Sequence, residues 1–352
     1  MMHVIGAVCL FLLTACFALL ATWIARAVAL RLGIVDHPNS IIPQHTRPVA
    51  YLGGVGILAG LLAGLPAGWV LLRWCGIPFP GEYLVSWRII LFAAGFVVLG
   101  LVDDLTRMRA EWKLVGQLVL VTLAASLGIR RPLTGIRPVD IALSAFWILL
   151  LVNAFNVTDV CDGLVGGIAV VAFLFLGWYG DSRVLPVAAA GACAGFLWFN
   201  APPATIFLGD AGSHLLGFLA AVLTLSMGNG QPIWPYAAQV TLILGVPLFE
   251  VAFLIAVRAH KGLPWWRGSP DHFSLRLQAA GLNRLKTDLI AWAASAVLCA
   301  AALGLGATGG WAQGLLLGAV VVGLAVCWRA LLHWDVTERP VPAVEPEQAV
   351  QQ

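Results

Sequence analysis

Long apolar runs, cut by charges, prolines and glycine pairs, recur eleven times along the chain. They lie near residues 4–26, 51–73, 87–102, 113–129, 139–157, 163–180, 184–200, 213–228, 236–257, 288–306 and 311–332. A helix crosses the hydrocarbon core with about 20 consecutive apolar residues. The runs do not alternate apolar and polar positions, which excludes a closed barrel of strands. The pattern predicts an all-α, polytopic integral membrane bundle of about 10 or 11 transmembrane helices. The runs at 87–102 and 213–228 are short, which leaves room for merged or re-entrant spans. No Lys or Arg precedes Val4–Ala25, and the run is too long for a typical signal-peptide core, so it reads as a retained helix. Residues 1–335 then form one membrane domain, and the Pro-, Glu- and Gln-rich stretch 336–352 reads as a disordered tail.

The loops give this bundle a direction. With eleven spans and an outside N-terminus, one set of connections holds 14 of the 20 Lys and Arg residues and the other holds 6. The positive-inside bias places the first set in the cytoplasm of a cell's inner membrane. Composition agrees with lipid as the solvent: 61% of residues are hydrophobic and 11% charged, against about 25% charged in soluble domains. The formal charge of +3 reflects the loop bias and carries no sign of nucleic-acid binding. Seven cysteines are scattered without a CxxC pair, which argues against a thiolate metal cluster or a disulfide framework.

Five aspartates interrupt the pattern: Asp103, Asp104, Asp159, Asp162 and Asp210 each stand at the end of an apolar run. A carboxylate near hydrocarbon persists when it is paired, hydrated or bound to a metal. On the topology above all five reach the cytoplasmic face, which predicts a cation-dependent site there. Asn153, Asn156, Asp159 and Asp162 follow one another at i, i+3, so neighbours share a helix face. Each step drifts by about 60°, and an uninterrupted helix would turn the first and last apart. Gly163 and Gly166-Gly167 offer a break at which the four can converge. Capping of a helix end is the plainer alternative, and it requires fewer polar residues. Asp103 and Asp104 point about 100° apart on a helix, so only one need face a site while the other caps or hydrates. Around Asp210, the turn Gly209-Asp210-Ala-Gly212-Ser213 lets backbone approach a ligand at a helix start, where free amides favour anions. A metal-bound phosphate suits that place, because Mg²⁺ takes one or two carboxylates plus substrate oxygens.

These segments together resemble the polyprenyl-phosphate N-acetylhexosamine-1-phosphate transferases. The resemblance rests on Leu-Val-Asp103-Asp104, on Asn153-x-x-Asn156-x-x-Asp159-x-x-Asp162-Gly163-Leu, and on Gly195-Phe-Leu-Trp-Phe-Asn200 leading to Phe-Leu-Gly209-Asp210-x-Gly212-Ser213. It spans roughly residues 30 to 290. Asp36-His-Pro38-Asn39 through His45-Thr-Arg47-Pro48 looks like the family's first cytoplasmic loop, and Ser269-Pro-Asp271-His272-Phe-Ser274-Leu-Arg276 like its histidine-rich motif. Glu250 stands where the family has an Asp after Pro-Leu, with a structural pair to Arg258 as the alternative. The chain departs from the family at Val160, usually Gly, at Gln44, usually basic, and in keeping one histidine, His272, of an expected three.

The resemblance implies a reaction at the cytoplasmic face, in which undecaprenyl (polyprenyl) phosphate attacks the β-phosphorus of a UDP-sugar and releases UMP. It implies Mg²⁺ as cofactor, with Mn²⁺ as the substitute, and Asp210 with Asp159 as metal ligands. Asp103 and Asp104 would be catalytic carboxylates near the lipid phosphate, and Asp159 and Asp162 would act beside the nucleotide. His45, Asn153, Asn156, Asn200, His272 and Arg276 would bind the nucleotide sugar. A homodimer fits the same resemblance. The lone His272 leans away from the phospho-N-acetylmuramoyl-pentapeptide transferase of peptidoglycan synthesis and towards a hexosamine carrier for a surface polysaccharide. A cation transporter is the reading from another class, but it would place its acids near the bilayer midplane within repeats, and no repeat is visible here.

Overall fold

The structure is a computed structural model that describes residues 2–36, 48–77, 85–179, 183–227, 232–264, 268–334 and 336. His45 and all but one residue of the expected tail lie outside the described residues. Every apolar run of the sequence is helical over most of its described residues. In chain order the helices are α1 (Met2–Leu32), α2 (Gly53–Trp74), α3 (Trp87–Thr106), α4 (Ala110–Ser126), α5 (Arg137–Thr158), α6 (Leu164–Tyr179), α7 (Val184–Asn200) and α8 (Gly209–Leu225). After them come α9 (Ile233–Ile243), α10 (Gly245–His260), α11 (Phe273–Ala279), α12 (Arg284–Ala307) and α13 (Trp311–His333). The chain is a polytopic α-helical membrane protein. Among the described residues six helices are long and apolar enough to cross a membrane, or seven if α9 and α10 form one broken span.

That broken span corrects the single run expected over 236–257. The two halves meet at an angle of 82°. Pro247 has no N–H to give the Ile243 carbonyl, and its ring crowds that carbonyl, so a continuous helix cannot pass the junction. By contrast, α3 extends through Thr106 and is long enough to span.

Every residue of α8 except Asp210 is buried. A helix apolar on all sides belongs at the centre of a bundle, and α8 packs against α2, α3 and α5. The contact with α3 is close: a Cβ on Gly100 would lie 2.4 Å from the backbone of Asp210 and Ala211. That approach brings the end of α3, with Asp103 and Asp104, to the first turn of α8.

Three short strands hold the approach to α8 in place, a feature the apolar pattern did not announce. They are β1 (Val35–Asp36), β2 (Val49–Tyr51) and β3 (Ile206–Phe207). β2 pairs antiparallel with β1 and parallel with β3, placing Ala50 opposite Ile206 and Tyr51 opposite Phe207. β3 leads directly into α8 through Gly209, whose φ of 72° suits glycine at this turn.

Candidate active site

The outer end of α8 gathers side chains from four helices. Lys113 of α4 places its ammonium on Asp103 Oδ2 at 2.9 Å, on Asp210 Oδ2, and on Asn156 Oδ1 at 3.3 Å. Asn156 of α5 donates to Asp210 Oδ1 at 2.5 Å and to Ser213 Oγ at 3.0 Å. Asp103 is held from the other side by the Met108 amide at 2.8 Å, where Arg107 in the left-handed region turns α3 into α4. Asp103, Asn156 and Asp210, chosen from sequence, therefore meet in one cluster.

Asp104 takes a different position from its neighbour. Its two oxygens accept from the backbone amides of Asp210 at 2.8 Å and Ala211 at 3.1 Å. Helix α8 has no side-chain cap of its own, so a carboxylate from α3 satisfies its first free donors and complements its dipole. Asp104 thereby fixes the direction in which Asp210 leaves the helix.

A second polar layer lies beneath the first. Gln117, Asn153 and His214 sit one turn inward from Lys113, Asn156 and Asp210 on the same three helices. Asn153 Nδ2 donates to the Leu149 carbonyl at 2.9 Å and to Gln117 Oε1 at 2.9 Å. Those two acceptors assign the Gln117 amide, whose Nε2 then donates to His214 Nε2 at 3.2 Å. Lys113 and Gln117 were missed in the sequence, where Lys113 counted only as a loop cation. The available signal was a Lys-x-x-x-Gln pair on one helix face, with Gln117 inside an apolar run.

Asp159 ends α5, and its side chain makes no hydrogen bond among the described residues. Desolvation, then the charges of Asp210, Asp104 and Asp162, holds its carboxyl well above the usual carboxylate range. A cavity of about 580 Å³ opens at this end of the bundle, lined by Asp36, Tyr51, Asp103, Asp104, Arg107 and Asp210 among others. Burial, followed by Asp104 and Asp210, raises the Tyr51 phenol well above its ordinary pKa, so it lines the cavity as a neutral group.

The remaining sequence-chosen residues form two further groups. Asp162 is buried, accepting from the Ala204 amide at 3.1 Å and pairing with Arg284 of α12 at 3.0 Å. Asn200 accepts from the Gly163 amide and donates to the Ile206 carbonyl, both at 2.9 Å, which ties the α5–α6 turn to β3. In the third group His272 Nδ1 lies 2.6 Å from Glu250 Oε1, while the Phe273 amide donates to Glu250 Oε2 at 3.2 Å. Glu250 is thus engaged by His272, and the nearby Arg258, on which the Glu250 charge acts, donates to Ser269. Arg276 is buried, and its guanidinium donates to the Asp271 side chain and carbonyl and to the carbonyls of Leu331 and Trp334. A phosphate contact by Arg276 would require some of those bonds to open. Helix α11 meets the Asp159–Gly163 turn through Cys161, which contacts Ser274 at 3.4 Å and Gln278 at 3.1 Å.

Among the described residues no three His, Cys, Asp or Glu side chains form a complete metal cage. The donor set does suit a shared cation: two carboxylates and an amide carbonyl already converge on one ammonium. Mg²⁺ takes such a partial oxygen shell and completes it with water and substrate phosphate.

The sequence is similar to those of known proteins. Residues 86–228, which contain the whole cluster from α3 to α8, match the sequence profile of glycosyl transferase family 4. A putative glycosyltransferase of Streptomyces coelicolor is 31% identical over 333 residues, covering 92% of this chain and 75% of that protein. A probable undecaprenyl-phosphate N-acetylglucosaminyl 1-phosphate transferase of Bacillus subtilis is 26% identical over 298 residues, covering 80% and 79%. A phospho-N-acetylmuramoyl-pentapeptide-transferase of Clavibacter sepedonicus is 26% identical over 332 residues, covering 76% and 88%.

Proposed function

The chain belongs to glycosyl transferase family 4, and from that premise we propose that it transfers an N-acetylhexosamine 1-phosphate from a UDP-sugar to undecaprenyl phosphate. The reading places the site at the cytoplasmic face of the inner membrane and makes the product the starting unit of a cell-envelope polysaccharide. A lipid phosphate oxygen bonds to the β-phosphorus of the UDP-sugar. The bond from that phosphorus to the bridging oxygen breaks, and UMP leaves with the electron pair.

The observation that carries the reading is the Lys113–Asp103–Asp210–Asn156 cluster at the outer end of α8, beside a cavity of about 580 Å³. Both substrates are anions, so the barrier lies largely in bringing like charges together. Asp210 and Asp103 would hold Mg²⁺, with Asn156 and Asp159 beside them. The ion, when bound, neutralises diphosphate charge and stabilises the departing phosphate. Asn156 and the Asp104-capped first turn of α8 hold Asp210 in one orientation, which lowers the reorganisation needed at reaction. Lys113 supplies positive charge at the same point. Asp162, through Arg284 and Ala204, and Asn200, through Gly163, shape the turn on which Asp159 is presented.

The test is direct. Full-length protein in detergent with Mg²⁺, undecaprenyl phosphate and a panel of UDP-sugars should release UMP with at least one N-acetylhexosamine donor, and chelation should stop it. A folded preparation that releases no UMP with any sugar would overturn the reading.

A further inference from the structure

We propose that Lys113 is the resident counter-ion of the carboxylate site, and that a divalent cation displaces it from Asp103 and Asp210. The proposal rests on the metal reading above and adds a moving part to it. An ammonium has three donors. Lys113 directs them at Asp103 Oδ2, Asp210 Oδ2 and Asn156 Oδ1, on three helices other than its own. Two carboxylates and an amide carbonyl form a hard oxygen set of the kind Mg²⁺ selects. The lysine therefore stands where the cation would stand.

Charge decides which occupant prevails. Two carboxylates and one ammonium leave one negative charge, whereas two carboxylates and a divalent ion leave none. Holding both cations at bonding distance would place a combined charge of +3 against −2, among side chains that are 11–24% exposed. The carboxylates cannot easily leave. Asp103 is tied to the Met108 amide, and Asp210 to Asn156 and to a helix start that Asp104 caps. The lysine can leave: its ammonium sits on a flexible four-carbon stem, and its side chain is 17% exposed. Once released, the ammonium would be free to meet an anion in the adjoining cavity.

Mn²⁺, titrated without substrates and read by electron paramagnetic resonance, tests the exchange on full-length protein. Lys113→Gln removes the competitor and should bind Mn²⁺ about tenfold more tightly than the unmodified protein, within the usual span of coupling energies. Equal or weaker binding in the variant overturns the exchange alone. Absence of Mn²⁺ binding in both proteins overturns the exchange together with the metal reading beneath it. A second measurement needs no variant. Acylation of Lys113, followed by peptide mass spectrometry, should increase when Mg²⁺ is added, relative to the exposed Lys286. Unchanged or reduced labelling overturns the proposal.

Discussion

Two charged regions of this protein are built from similar residues and behave in opposite ways. At the outer end of α8, Asp103 and Asp210 share a single lysine, Asp104 caps the helix beside them, and all three line a cavity. Between α10, α11 and α13, Asp271 and Arg276 are buried and paired, Lys261 reaches Asp271 from the exposed end of α10, and Glu250 is bonded to His272 and the Phe273 amide. The first region keeps an excess of negative charge that a cation or a ligand's donors must relieve. The second satisfies its charges within the chain, and Arg276 joins α11 to the carbonyls that end α13. A surplus of unneutralised charge marks a place for chemistry, and a closed account of charge marks a scaffold.

Substitutions can break this contrast. The largest effect is expected from Asp210→Asn, which keeps the shape and removes charge at the point where Lys113 and Asn156 meet. UMP release should fall by about 10³-fold, the scale of losing one preorganised electrostatic group, with little change in thermal unfolding. Asp104→Asn should cost less, roughly 10- to 100-fold, because Asp104 acts through the α8 amides. An equal loss in the two variants would show that Asp104 touches substrate itself.

The smallest effect is expected in the sealed region and should appear in stability. Burial pushes the Asp271 carboxyl up, but Lys261 and Arg276 outweigh it and hold the group below the usual carboxylate range. The folded state therefore binds its proton less readily than the unfolded chain does. The resulting stability is full above the unfolded carboxyl pKa of about 4 and is lost as pH falls through the lower folded value. Asp271→Asn should destabilise by about 1.5 kcal/mol near neutrality. Thermal unfolding of the two proteins should converge as the pH is lowered below about 4. A deficit that stays constant with pH would show that packing, and not charge, joins these helices.

Much of the molecule could be read from the chain. The eleven apolar runs all fold as helix, one of them broken in two, because apolar backbone away from water must satisfy its hydrogen bonds within the segment. Asp103, Asn156 and Asp210 were recognisable because each combines a polar group with an apolar run's end. The break at Leu244 also had a local signal in Pro247, which the continuous hydropathy of 236–257 concealed. Other features had no local signal. Nothing in the sequence near Glu250 indicates that His272, 22 residues away, will bond to it. Arg276 resembles a phosphate ligand until the ends of α11 and α13 are seen to close around it.

Asp103 and Asp104 show where the boundary falls. By itself the sequence determined that both would stand at a helix end and diverge by about 100°, since helix geometry is a local property. Only the tertiary structure decided that one would hold a lysine from α4 and the other the first amides of α8. Those tasks depend on the close crossing of α3 and α8 at Gly100, and on α4 and α5 arriving beside them. Pairing between distant segments follows from packing, which no single segment contains.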